Sequence, residues 1–285
     1  MADLIHGNTE IGATKMDLIT AVALRELQFA AKLAPTVTDY SSYAVKGAKT
    51  VKIPKLGSFP VINRSSGVAG DAAVLDTNAA VDTIDLDWNA YVAYIVDSSD
   101  AIQSTIEWQS ELARRAAGAH GRYVDTQIIA VLEAAGVATT TAGAFTYDIA
   151  REMREIYLSN DGLMEDGIWL LGTDQESNAL DQAEFKDASI YGANAVVPSG
   201  VIGKILGLPV MVHNGVAANS FYLYSKSAVG LAFQSGPSMS EQPANEFGSK
   251  AMRVAMDQLF GVDALFKGLK GVGATASPLI IKDNN

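Results

Sequence analysis

The order of apolar and polar positions divides the chain into elements of different period. From Thr14 to Leu33, Ile19, Val22, Leu24, Leu27 and Ala30 form an apolar stripe among good helix formers, so a helix is predicted there and Pro35 ends it. Thr36 to Tyr43 is polar and aromatic and reads as extended. Thr50 to Pro54 and Val81 to Leu86 alternate with period two, as strands do, and turn-prone small residues from Asn63 to Asp71 lie between them. This is the pattern of a long hairpin with little core of its own.

The clearest helical signal follows an apolar strand-like run from Ala90 to Val96. Ser98, Ser99 and Asp100 offer capping side chains. Ile102, Ile106, Gln109, Ala113, Ala116, His120, Val124, Ile128, Val131 and Ala135 then recur in steps of three and four. Roughly 35 residues at 1.5 Å each make a rod of about 50 Å, well beyond the usual helix of about 11 to 12 residues. Gly118 and Gly121 are places where it could bend, and Gly136 is a fitting terminator.

Beyond it, Tyr147 to Leu158 reads as a helix, Gly167 to Gly172 as a buried strand and Asp174 to Phe185 as a short helix. Lys204 to Val212 reads as strand, turn, strand. Phe221 to Tyr224, Val229 to Phe233, Ser249 to Phe260 and Val262 to Phe266 are further strands.

Charge sharpens the picture of the hairpin. Lys46, Lys49, Lys52, Lys55 and Arg64 fall in residues 46 to 64 with no acid among them. Asp71, Asp76, Asp82, Asp85, Asp87, Asp97 and Asp100 fall in residues 65 to 100 with no Lys or Arg. One reading is charge pairing across the hairpin itself. The other is docking of each arm onto an oppositely charged patch of another subunit. The two are compatible. Lys46, Lys49, Lys52, Lys55, Arg64, Asp71 and Asp76 are therefore the candidate inter-subunit contacts.

Composition narrows the function classes. A chain of 285 residues with 48% hydrophobic and 19% charged residues builds a real core. A net charge of -11 argues against a dedicated nucleic-acid binder, although a container wall tolerates packed DNA. The absence of Cys removes disulfides, thiolate nucleophiles and zinc-thiolate sites. Met1 to Glu10 lacks an apolar signal core, and no apolar run reaches the roughly 18 residues that span a membrane. The expectation is a soluble protein made in the cytoplasm.

The common signatures of catalysis are missing. There is no nucleophile elbow, and Gly203 and Lys204 are followed by Ile205, not by the Ser or Thr of a phosphate loop. His6, His120 and His213 lack metal-ligand spacing and read as structural. Asp85 and Asp87 lack the Gly-bearing loop of a calcium site and read as a solvated face. Glu152 and Glu155 share a helix with Arg151 and Arg154, which reads as surface pairing. The sequon at Asn63 carries no meaning without a secretion signal. No catalytic residue, cofactor or metal is expected.

The order of parts resembles the Hong Kong 97-type fold of tailed-phage major capsid proteins, over nearly the whole chain. Local similarity lies in Pro198 to Val212, which is similar to the family's hairpin after a Gly-rich turn, and in Leu259 to Leu265, which is similar to its late peripheral strand. The resemblance implies an α+β fold with an N-terminal arm at 1–45 and an extended loop at 46–89. It implies a peripheral domain at 90–143 and 241–285, with a spine helix at 98–135, and an axial domain at 144–240.

The function so implied is a major capsid protein, not an enzyme, that self-assembles through pentamers and hexamers into the icosahedral head enclosing the phage genome. Implied partners are further copies of the chain, a portal protein, packaged DNA by non-specific contact only, and no membrane. Relatives with a built-in scaffold carry a long charged N-terminal extension. This chain has only a short stretch before its first helix, which implies a separate scaffolding protein or an earlier cleavage. Its place would be the virion, and the host cytoplasm during assembly. An encapsulin-like nanocompartment shell is the alternative with the same fold. An α/β enzyme with a non-local active site is the distant one.

Overall fold

The computed structural model describes residues 31–55, 80–97, 108–141, 143–182, 203–243, 251–269 and 275–283. Its strands, in chain order, are β1 (Thr38–Asp39), β2 (Thr50–Lys55), β3 (Ala80–Asp85), β4 (Trp88–Asp97), β5 (Val137–Ala138), β6 (Gly167–Leu171), β7 (Lys204–Ile205), β8 (Leu208–Val212), β9 (Phe221–Ser225), β10 (Val229–Pro243), β11 (Ala251–Ala264) and β12 (Ile280–Lys282). Its helices are α1 (Trp108–Ala135), α2 (Tyr147–Ser159) and α3 (Thr173–Asp181). The chain divides into two compact units.

The first unit takes residues up to Lys49, then Leu86–Ala130 and Leu231–Val262. Its sheet has the strand order β1-β10-β11-β4. β11 and β4 run antiparallel in register from Ala251 opposite Asp97 to Phe260 opposite Trp88. The α1 stripe behaves as its period requires: Ala116, His120, Val124 and Ile128 are all buried. Tyr123 of the same helix meets the rings of Trp88 and Phe260 edge-on, with centroids 6.3 and 6.0 Å away. That is the favoured geometry for aromatic pairs.

The second unit takes Thr50–Asp85, Val131–Gly230 and Asp263 onward. Its main sheet has the order β5-β12-β9-β6-β8-β7. β6 pairs parallel with β8 and antiparallel with β9. Thr146 caps α2 by accepting from the Ile149 N–H, and Asp148 adds negative charge to the first turn. Ile149, Ala150, Met153 and Tyr157 turn one face of α2 into a core that also holds Phe145, Trp169, Phe221 and Ile281. Gly162 belongs to that packing, because a Cβ there would sit 2.5 Å from the Tyr157 ring. The β7–β8 hairpin closes through Leu206 at φ 50° and Gly207 at φ 87°, the twisted two-residue loop that suits adjacent strands.

Several sequence expectations change. Thr36 to Tyr43 is not simply extended: short 3-10 turns at Ala34–Thr36 and Ser41–Tyr43 flank β1. α3 stops at Asp181, since Gln182 is extended at ψ 133°. The two expected late strands are one, because β11 runs through Gly261 without a break. β10 continues past Phe233 to Pro243. Neither β5 nor β12 has a counterpart among the expected strands. The expected N-terminal helix up to Ala30, the tip of the hairpin and the helix start at Ser98 lie outside the described residues, while Ala31 to Leu33, expected to end that helix, are not helical.

Candidate assembly surface

In the hairpin, β2 pairs antiparallel with β3 from Thr50 opposite Asp85 to Lys55 opposite Ala80. Opposite residues share a face. Val51 and Ile84 form the buried face, while Lys52 and Thr83 lie on the other, where Lys52 is exposed. Asp82 follows Ile84 onto the buried face and accepts the Phe266 N–H at 2.7 Å. A carboxylate aimed at an otherwise unpaired backbone donor explains why an acid sits inside. Val81, by contrast, is left exposed.

This register answers part of the charge question. The residue opposite Lys52 is Thr83, and the residue opposite Asp85 is Thr50. Among the described residues, Lys46, Lys49 and Lys52 form no ion pair. All three are exposed. Lys55 ends β2. Arg64, Asp71 and Asp76 lie outside the described residues.

Lys46 and Lys49 sit on a tight turn in the first unit, with Gly47 at φ 91°. Gln234 of β10 donates through Nε2 to the carbonyls of Val45 and Ala48, at 2.8 Å each. The Leu86 N–H donates to the Lys49 carbonyl at 2.8 Å. Tyr43 and Val45 beside them are 68% and 64% exposed. Large apolar groups in the open next to unpaired lysines make a surface suited to another protein.

A second open surface of the first unit is one face of its sheet. Asn89, Tyr91, Ala93 and Ile95 alternate outward along β4, and Arg253 and Asp257 do so along β11. With Ser240, Gln242 and Ala255, residues of this face line a shallow groove of about 340 Å³.

The polar clusters of the second unit hold backbone in place. Buried Gln175 accepts the Phe145 N–H at 2.7 Å and donates to Asp174 and Asn219. Asp174 accepts the Asn219 N–H at 2.6 Å, and that bond chiefly holds its carboxyl below the usual range. Glu152 faces Thr140, whose N–H and hydroxyl donate to it; the expected arginine pairing instead joins Arg151 to Asp148 at 3.5 Å.

At the end of α1, Glu133 accepts from Tyr222 Oη at 2.9 Å and from Lys282 Nζ at 2.7 Å. Partial burial pushes the Glu133 carboxyl up, but these two donors outweigh it and hold the group below the usual range. Burial, then Glu133 itself, raises the Tyr222 phenol. Lys282 also caps the helix by donating to the Glu133 carbonyl at 2.9 Å. Among the described residues, no three His, Asp or Glu converge as metal ligands. His120 is buried within the α1 stripe, and His213 accepts the Gly215 N–H through Nδ1.

Sequence reasoning missed three residues that organise the first unit: Asp125, Ser41 and Gln234. Only Asp125 left a readable trace, as a carboxylate set beside Val124 and one turn from Ile128 and Ile129, within an otherwise apolar arc.

Comparison with known proteins bears on most of the chain. A family model described as phage capsid protein matches residues 21–256. Comparison by sequence with curated proteins returns no match. Among solved structures, one from Mycobacterium phage Che8 is similar at TM-score 0.73 and 16% identity, over 89% of this chain and 91% of that one. The mature capsid of bacteriophage PhiM1 is similar at TM-score 0.68 and 13% identity, over 90% and 87%. A structure from Microbacterium phage Oxtober96 is similar at TM-score 0.68 and 14% identity, over 90% and 91%.

Proposed function

The chain belongs to the family of phage capsid proteins, and from that premise we propose that it is a major capsid protein of the head shell and that it assembles as follows. Copies associate through pentamers and hexamers, and repetition of a few interfaces closes them into an icosahedral shell. Residues 1–45 act as the arm and 46–89 as the extended loop. Residues 90–143 and 241–285 form the peripheral domain around the spine helix, and 144–240 the axial domain whose tips meet at the capsomer centre. The subunit works as a tile and carries out no catalysis.

The extended loop lies over a neighbouring subunit and makes contacts that a lone subunit lacks. The observation that supports this is the state of Lys46, Lys49 and Lys52, which are exposed and form no ion pair among the described residues. With a net charge of -11, another copy of the chain offers abundant acidic surface to meet them. Arg64 extends the basic set, and Asp71 and Asp76 supply acids for the reciprocal contact. A separate scaffolding protein, a portal protein and non-specifically packed DNA complete the partners. Assembly takes place in the host cytoplasm before the protein resides in the virion.

The test replaces residues 56–79 by an Asn-Gly turn, which joins β2 to β3 directly. The subunit then stays folded by circular dichroism but builds no closed shell in electron micrographs. Normal shells from this variant would overturn the loop assignment.

A further inference from the structure

The segment from Lys32 to Lys49 takes in the end of the residues assigned to the arm and the start of those assigned to the extended loop, and its course depends on side chains far away in sequence. At its start, Asp125 is fully buried in the middle of α1. Its Oδ2 accepts the Lys32 N–H at 2.9 Å and its Oδ1 accepts the Leu33 N–H at 3.0 Å. A carboxylate buried in a helix is unfavourable unless strong donors meet it, and two consecutive amides do so here. In the middle, Ser41 Oγ accepts the Phe233 N–H at 2.9 Å, and the Tyr40 N–H donates to the Leu231 carbonyl at 2.7 Å. At its end, Gln234 clasps the Val45 and Ala48 carbonyls. Leu33 and Val37 bury their side chains, whereas Tyr43, Val45, Lys46 and Lys49 are exposed. Packing therefore holds the first part of the segment, and hydrogen bonds fix the path of the rest.

We propose that this strap is a common mount for the two assembly segments, with Asp125 and Gln234 as its positioning residues. Asp125 fixes the root of residues 1–30. Gln234 fixes the turn that leads to Thr50 and thus the root of the hairpin. Neither residue touches a neighbouring subunit in this account. Each acts by setting where a contact-making segment departs, and so how neighbouring tiles are angled. The inference rests on the assignment of arm and loop made above.

The test compares Asp125→Asn and Gln234→Ala with the unaltered chain. Asp125→Asn keeps the side-chain shape but turns one acceptor into a donor facing an N–H. Both variants keep the far-UV circular dichroism of the parent. Amide exchange in the unassembled subunit speeds up about tenfold or more at Lys32 and Leu33 in the first and at Ala48 in the second. Electron micrographs then show shells of mixed diameter or open sheets. Faster exchange with shells of the parent diameter would overturn the proposal, as would unchanged exchange at these amides. If Asp125→Asn does not fold, Gln234→Ala decides by the same criteria. Deletion of residues 1–30 separates the premise from the inference. Normal shells from that deletion refute the arm assignment and leave the Gln234 result to judge the mount at the hairpin.

Discussion

Phe145 gives the strongest single test of how the second unit is held together. Its side chain is fully buried, with the Trp169 ring 5.9 Å away at 89° and the Phe221 ring 5.1 Å away at 80°. Phe145→Ala removes most of a buried ring and leaves a cavity between two rigid aromatics, which costs about 3–5 kcal/mol. The two edge-to-face contacts place the value toward the upper end, since each adds about 0.5–1.5 kcal/mol beyond burial. Phe145→Leu keeps most of the volume and costs less than about 1.5 kcal/mol. Leu163→Ala, on a side chain 63% exposed, stays within about 0.5 kcal/mol.

The assay is urea unfolding of the unassembled subunit, followed by tryptophan fluorescence, because Trp169 reports from within the same cluster. With a slope of about 3 kcal/mol per molar, the Ala variant shifts its midpoint down by about 1.3 to 1.7 M. A midpoint shift for Phe145→Ala no larger than that of Leu163→Ala would refute this view of the core.

Two further predictions concern the end of the chain. A Cβ on Gly136 would lie 2.8 Å from the Leu132 carbonyl and 2.9 Å from Lys282 Cγ, so Gly136→Ala destabilises by about 1–3 kcal/mol in thermal melts; a melting point equal to the parent's contradicts the packing of Lys282 over the helix end. Asp283 is buried and accepts the Phe221 N–H with Oδ1, and among the described residues its Oδ2 has no partner. Burial raises its carboxyl above the usual range, which that N–H only partly offsets. Its contribution to stability is therefore complete below the unfolded value of about 4 and is lost as pH rises through the raised folded value. Asp283→Asn should match the parent near pH 4 and exceed it increasingly toward neutral pH. A stability difference that does not change with pH would rule this out.

What could be read in advance followed from periodicity. The α1 stripe was legible because Ala116, His120, Val124 and Ile128 repeat at helical spacing and all face inward. The β2–β3 pair was legible from alternation, and the structure then shows that Asp82, Ile84 and Leu86 are the set that turns inward. β12 was not, because its three residues are too few to establish a period and its place depends on pairing with β5 and β9. The break expected at Gly261 failed because β11 continues through it to Ala264 beside β10, and sheet pairing overrides a local weak point.

The candidate surface was legible in its charges but not in its supports. The run of lysines showed a basic arm, and the register then showed Thr83, not an acid, opposite Lys52. Asp125, Ser41 and Gln234 bond to backbone 92 to 93, 192 and 186 to 189 residues away. No local pattern encodes such partners.

As proposed, the chain is a tile that closes into a shell. Electron microscopy of the purified, unaltered protein, over a rising series of concentrations, tests this most directly. Capsomers and uniform closed particles are expected. A folded subunit that remains a 30.0 kDa monomer throughout the series would contradict the proposal.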